Sequence, residues 1–208
     1  MDTLWLALLA ILVMGYFALA GFDYGTGLLL PFTRDRAAAL RRMTPFFLGN
    51  EVWLVAAVGV LFAAFPRLEG ELLSGSHTVF TIVLGGLVLF MASVQLRLWF
   101  GLIFLGALAV AVGWGLFVAS LSGVPWFVGA ALMPALFALH GMTFQSRSRL
   151  FGLTALACAL PVPLAFSSHP VEGLMAGPDT LAMLSWVAIP ILPLVVILQW
   201  SIVAISPR

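Results

Sequence analysis

A few ionisable and amide side chains interrupt otherwise apolar stretches of this sequence, and their types could carry chemistry. Asp23, Glu51 and His140 each stand inside a run of hydrophobic residues, and Asn50 directly precedes Glu51. Carboxyl and imidazole groups can accept and release protons when they lie within reach of a partner or of water. The sequence therefore predicts a polar cluster of Asp23, Asn50, Glu51 and His140 with a role in proton movement.

The elements that position these residues follow from the composition. Of the 208 residues, 63% are hydrophobic and only 8% are charged, and the mean hydropathy is +1.17. A soluble globule would have too few polar residues to cover its surface, so the chain is predicted to lie in a lipid bilayer. The arginines are scattered in short connections without forming a basic face, which argues against a nucleic-acid partner.

Seven apolar runs are long enough to be interpreted as membrane-spanning helices, each of which needs roughly 20 residues. They are Leu4–Pro31, Phe46–Phe65, Val79–Leu96, Phe100–Leu121, Trp126–Phe144, Leu150–Phe166 and Leu181–Ile205. Because Pro161 and Pro163 interrupt the sixth run, six spans remain an alternative. The predicted fold is all-α, a polytopic bundle of about seven transmembrane helices, and residues 1–208 are expected to form a single domain.

Arginines set the predicted orientation, because cytoplasmic connections of membrane proteins carry an excess of basic residues. The first, third and fifth connections and the C-terminal tail hold every arginine except Arg67. This alternation predicts an external N-terminus and a cytoplasmic C-terminus. The first run lacks a basic start and a cleavage signal, so we expect it to remain as a span. In this topology Asp23, Glu51 and His140 share the cytoplasmic third of the bilayer with Gln199.

The candidate residues also have purely structural interpretations. Asp23 could pair with an arginine of the next connection, and Glu51, near a helix start, could interact with the helix dipole. A lone histidine such as His140 is more often a hydrogen-bonded packing residue than a ligand. A charge at this depth costs several kcal/mol unless it pairs or meets water, which favours a functional pocket. The sequence alone leaves both interpretations open.

Other residues indicate packing or exclude a cofactor. Gly21 and Gly25 form a small-xxx-small pair, which predicts the close approach of another helix. One intramembrane histidine, His140, cannot supply the two axial ligands that a buried low-spin haem commonly needs, so the chain alone is expected to bind no haem. Cys158 is the only cysteine, which excludes an internal disulfide and a multi-thiolate metal site. We predict no catalytic residue and no metal ligand.

Three segments together resemble a known family. GFDYGTGLLLPF at residues 21–32 is followed, after an arginine-rich stretch, by GNEVWL at residues 49–54 and LFAAFP at residues 61–66. Their order, spacing and residue identities resemble the signature of subunit II of cytochrome bd-type quinol oxidases. The chain looks like a short, divergent member of that family. SWVAIP at residues 185–190 is a weaker likeness to the same family.

The resemblance implies a subunit that carries no haem and packs against a haem-bearing subunit I, with or without a small single-helix subunit. The complex would oxidise quinol and reduce oxygen to water in the bacterial inner membrane, surrounded by lipid. Haem b and haem d would lie in the partner, so this chain would not be catalytic alone. By motif position, Asp23 and Glu51 would lie on a proton route, and Trp53 would lie near the mouth of an oxygen route.

The chain departs from the family pattern at two positions. Many members have aspartate where this sequence has Ala20 and Leu48, so a proton route through this subunit would depend on Asp23 and Glu51. Two other classes of function fit the same residues: a small proton-coupled membrane transporter, and a purely structural membrane scaffold. The spans show no pair of Gly/Pro-interrupted segments in matching halves, which argues against the transporter.

Overall fold

The computed structural model describes residues 2–167 and 174–205, in which all regular structure is helical and no strand occurs. The helices are α1 (Asp2–Leu29), α2 (Arg36–Ala64), α3 (Pro66–Gly75), α4 (His77–Gln95), α5 (Phe100–Ser122), α6 (Trp126–Gln145), α7 (Phe151–Ala159), α8 (Pro161–Ser167) and α9 (Pro178–Ile205). A single 3-10 turn, Leu30–Phe32, follows α1. The prediction of an all-α fold is confirmed.

Six helices of the described part are long and apolar enough to cross a membrane, namely α1, α2, α4, α5, α6 and α9. The sixth predicted span corresponds to a shorter apolar segment, Phe151–Phe166, which is divided into α7 and α8. Pro161 begins α8, and because proline has no backbone N–H to donate, it interrupts the helical hydrogen bonding there. The chain is a polytopic helical membrane protein with about seven apolar helical segments.

The second helix begins earlier than we predicted. We expected a connection up to Pro45 and a span from Phe46, but α2 begins at Arg36 and continues through Pro45. Asp35 caps the first turn, since its side chain accepts a hydrogen bond from the backbone N–H of Ala38 at 2.9 Å. The residues before Pro45 are rich in alanine, leucine and arginine, which are good helix formers, so they extend the span as a helix.

Helix α1 occupies a central position and packs against α2, α5, α6 and α7. Two of its glycines, Gly21 and Gly25, lie against α6. A Cβ atom added at Gly21 would lie 3.1 Å from the ring of Phe137, and one added at Gly25 would overlap the carbonyl oxygen of Phe137. A Cβ added at Gly141 of α6 would overlap the backbone of Gly25 in return. The two backbones touch because neither Gly25 nor Gly141 has a side chain.

Helix α9 packs mainly against α2 and exposes most of its apolar side chains. Arg208, which contributed to the predicted orientation, lies outside the described residues.

Candidate functional site

Two buried polar pairs join α1 to α2. Asn50 donates a side-chain N–H to Oδ2 of Asp23 at 2.8 Å, and Tyr24 donates its hydroxyl to Oε1 of Glu51 at 2.7 Å. All four side chains are buried. Residues 23 and 24 of one helix therefore pair with residues 50 and 51 of the other, and this arrangement places two carboxyl groups in one layer of the α1–α2 interface.

The carboxyl group of Asp23 is only half satisfied. Its side chain has no exposed surface, and Oδ1 has no hydrogen-bond partner in the described part of the chain. Asn50, which bonds to Oδ2, is itself held in place: its amide also donates to the carbonyl oxygen of Leu19 at 3.1 Å, and its Oδ1 accepts from Gln199 at 2.9 Å. The chain Asp23–Asn50–Gln199 thus links α1, α2 and α9 and leaves one carboxyl oxygen open for a proton or a water molecule.

Glu51 ends a chain of hydrogen bonds from aromatic side chains. The hydroxyl oxygens of Tyr16 and Tyr24 are 2.7 Å apart, and Nε1 of Trp114 lies 3.4 Å from the hydroxyl of Tyr16. An indole N–H can only donate, and each tyrosine has one hydroxyl proton. Because Tyr24 donates to Glu51, Tyr16 must donate to Tyr24, and Trp114 donates to Tyr16. Glu51 is therefore the final acceptor of the chain.

His140 belongs to a separate network between α1, α6 and α7. Its Nε2 lies 2.9 Å from the carbonyl oxygen of Ala18, so this nitrogen carries a hydrogen and donates. Its Nδ1 lies 2.8 Å from the hydroxyl of Thr154, which lies 2.8 Å from the hydroxyl of Thr143. Both ring nitrogens have partners, and the described hydrogen bonds of His140 do not reach the carboxyl groups of α1 and α2. In this arrangement His140 offers no ring nitrogen to a haem iron.

Trp53 lies half-buried against α1. Its ring covers Gly15, where an added Cβ would overlap the indole, and its Nε1 is buried without a hydrogen-bond partner in the described structure. A separate cavity of about 70 Å³ lies among apolar side chains of α1, α2 and α5. Tyr16 and Trp114 line this cavity and also belong to the chain that ends at Glu51. The apolar cavity and the carboxyl group therefore share two side chains.

Sequence reasoning missed Tyr16, Tyr24, Trp114 and Thr154. The tyrosines gave a signal that could have been used, because they are the only two in the chain and lie eight residues apart on one helix. A tyrosine hydroxyl inside a bilayer needs a partner. Among the described residues, no three histidine, cysteine or acidic side chains come together as a metal site.

Comparisons with known proteins agree on one family. A family model described as cytochrome bd terminal oxidase subunit II matches residues 1–160. Cytochrome bd ubiquinol oxidase subunit 2 of Bacillus subtilis (strain 168) is 40% identical over 88 residues, which are 40% of this chain and 26% of that protein. Cytochrome bd-I ubiquinol oxidase subunit 2 of Escherichia coli (strain K12) is 34% identical over 88 residues, which are 40% of this chain and 23% of that protein. The aligned segment thus spans only about a quarter of the length of these relatives.

Proposed function

Because the chain belongs to the cytochrome bd terminal oxidase subunit II family, we propose that it is the haem-free second subunit of a quinol-oxidising terminal oxidase. The complex reduces oxygen to water in the bacterial inner membrane, and its haem b and haem d are held by subunit I. The observation that carries this proposal is the family match over residues 1–160, which includes both carboxyl-bearing helices, α1 and α2.

Within the complex, we assign proton uptake and release to Asp23 and Glu51. Two observations support this role: Oδ1 of Asp23 has no partner among the described residues, and Glu51 is the final acceptor of a hydrogen-bonded chain. Each carboxyl group can therefore bind a proton without breaking a bond that holds the helices together. Asn50 and Gln199 position Asp23, and His140 has a supporting role in the packing of α6 and α7.

The face of α2 beside Glu51 is the proposed contact with subunit I. Glu51 retains 7% exposure, and Leu48, Val55 and Val58, which lie on the same face of the helix, are exposed. A carboxyl group that borders lipid tails costs several kcal/mol, whereas a protein partner can offer it a polar group or a water molecule. The exposed face around Glu51 therefore favours a protein partner over lipid.

The apolar cavity is the proposed segment of an oxygen route. Trp53 does not line this cavity, and we propose that it lies near the mouth of the route. Support comes from the lining, which has no charged side chain and consists mainly of leucine, valine and aromatic residues. A small apolar cavity of this kind excludes water and accepts apolar molecules of similar size. Oxygen fits this description.

Purification tests the assignment to an oxidase. We expect the tagged chain to elute from mild detergent with a haem-bearing partner and an absorbance spectrum of b-type and d-type haem. Purified alone, the chain should show no Soret band. A proton-coupled transporter predicts elution without haem. Elution of the chain from its native membrane without haem, or a stoichiometric Soret band from the chain alone, would contradict the proposal.

We also propose an external N-terminus, supported by the alternation of the arginines. Single-cysteine labelling in a Cys158→Ala background tests it at two exposed positions. Ala37→Cys should react only after the membrane is opened, whereas Ser74→Cys should react from outside intact cells. The opposite pattern would reverse the orientation.

A further inference from the structure

One cleft of the described structure has neither Asp23 nor Glu51 in its lining. A cleft of about 690 Å³ separates the first turns of α2 from the turn that joins α4 to α5. Arg41 and Arg97 line it together with uncharged residues such as Leu40, Thr44 and Leu98, and no acidic residue lines it. We propose that this cleft binds the phosphate group of an anionic phospholipid, with the acyl chains lying along the neighbouring apolar surface.

The first argument is that the guanidinium groups of Arg41 and Arg97 have no partner among the described residues. Arg36 donates to the carbonyl oxygen of Leu30 at 3.1 Å, and Arg42 donates to a backbone carbonyl oxygen of α6 at 2.9 Å. The guanidinium groups of Arg41 and Arg97 make no hydrogen bond or ion pair with any residue of 2–167 or 174–205. Two unpaired cations that line one cleft attract an anion, and guanidinium groups bind phosphate with paired hydrogen bonds.

The second argument comes from the backbone of Arg97, whose φ of 52° lies in the left-handed region. This residue terminates α4: the N–H of Leu98 donates to the carbonyl oxygen of Ser93 at 2.9 Å, the pattern in which glycine usually takes the left-handed position. Arginine adopts this conformation at an energetic cost that glycine would not have. This turn places a cation at the end of a helix and in the lining of the cleft.

The third argument identifies the anion as a lipid. Leu96, Leu98 and Trp99 are exposed beside Arg97, at the end of the candidate membrane span α4. Tryptophan and basic side chains at the end of a span are typical of the membrane interface, where headgroups meet acyl chains. A soluble phosphate would leave these apolar side chains uncovered, whereas an anionic phospholipid covers them and pairs both arginines.

The chain offers a matched pair of variants. Arg97→Gly removes the charge and places glycine where the left-handed backbone favours it, so the fold should be retained. Arg147→Gly is the control, because Arg147 also has a φ of 52°, terminates α6 and does not line the cleft. Both variants therefore lose the same charge in the same backbone conformation.

Binding is measured on the purified protein, with the subunits that accompany it, in nanodiscs of phosphatidylcholine with or without phosphatidylglycerol. Native mass spectrometry counts retained phosphatidylglycerol. We expect the parent protein and Arg147→Gly to retain it, and Arg97→Gly and Arg41→Gln to bind it roughly tenfold more weakly, the size of one lost charge-assisted contact. The readout needs no oxidase activity, so it can fail or succeed independently of the proposed function.

Four outcomes would overturn the lipid site. Equal retention by Arg97→Gly would show that the cleft does not bind lipid, and equal loss in Arg147→Gly would indicate a general effect of charge. Displacement of phosphatidylglycerol by inorganic phosphate would identify a site for a soluble anion. If the parent retains no lipid and Arg97→Gly loses subunit I in detergent, a protein partner covers the cleft.

Discussion

The two buried polar networks of this protein differ in whether their hydrogen bonding is complete. Around His140, both ring nitrogens and the neighbouring threonine hydroxyls have partners. Between α1 and α2, Oδ1 of Asp23 has no partner in the described structure, and Glu51 retains some exposure. A complete network fixes its members and has no open position for a proton, whereas an incomplete one has such a position. On this ground we propose proton movement for Asp23 and Glu51 and packing for His140.

Glu51→Gln should have the largest effect on turnover. The amide oxygen of glutamine can still accept from Tyr24, so volume and packing are kept, but the side chain can no longer bind and release a proton. We expect oxygen consumption by the assembled complex, normalised to haem, to fall roughly 10²-fold, as is typical for loss of a proton-transfer group. Turnover within about twofold of the parent would reject the relay and favour the structural interpretation of Glu51.

Asp23→Asn should have a smaller effect on the same measurement. The side chain can still accept from Asn50, and Glu51 remains, so we expect turnover to fall about tenfold. Asn50→Ala is the comparison, because it keeps the carboxyl group but removes its hydrogen bond. If Asn50→Ala lowers turnover as much as Asp23→Asn while haem content stays normal, turnover depends on the position of the Asp23 side chain more than on its ability to bind and release a proton.

His140→Leu should change stability and not turnover. It leaves the carbonyl oxygen of Ala18 and the hydroxyl of Thr154 without their present partner, which should cost about 1–3 kcal/mol of the free energy of unfolding. Thr154→Val interrupts the same network from the other side and should behave in the same way. Two measurements on each variant check this prediction: thermal unfolding for stability, and oxygen consumption per haem for turnover. A loss of turnover in His140→Leu with unchanged stability would place His140 among the functional residues. It would contradict the proposed difference between the two networks.

Tyr16→Phe should have the smallest effect. It removes the hydroxyl that bonds to Tyr24 and Trp114, which should lower the free energy of unfolding by about 1 kcal/mol. Tyr24 still donates to Glu51, so turnover should stay close to that of the parent protein. A large loss of turnover in Tyr16→Phe would mean that the aromatic chain itself moves protons and is more than a support for Glu51.

Hydropathy predicted the apolar helices, but it did not predict where α2 begins or which helices pack against each other. The apolar runs predicted seven spans, with six as the alternative because prolines interrupt the sixth run. The described structure has six full-length apolar helices and one shorter segment that is divided at Pro161. The early start of α2 was missed because Arg36 and the residues after it are not apolar, and only their helix propensity indicated a helix. The contact of α1 with α6 could not be predicted, since Gly25 indicates a close neighbour without saying which helix it is.

The sequence predicted which residues share a depth but not which of them are hydrogen-bonded to each other. Asp23, Asn50, Glu51, His140 and Gln199 were all expected at one level of the bilayer, because depth follows from position along a helix. The structure gives His140 hydrogen-bond partners of its own, in a separate network. The bond from Gln199 to Asn50 joins residues 149 positions apart in the chain. It depends on which face of α9 meets α2, and a helix that is apolar on all sides gives no periodicity that indicates this face.

The order of biosynthesis determines when the backbone contact between Gly25 and Gly141 can form. Asn50 follows Asp23 by 27 positions, whereas Gly141 follows Gly25 by more than a hundred. At a translation rate of about 5–20 residues per second, the partner of Asp23 leaves the ribosome within a few seconds, and that of Gly25 roughly 6–25 s after it. The α1–α2 hairpin can therefore close its polar pairs during insertion, while the groove at Gly25 stays open until α6 is synthesised. A bulky residue at Gly141 should consequently trap an inserted hairpin without its later helices and expose it to membrane proteases.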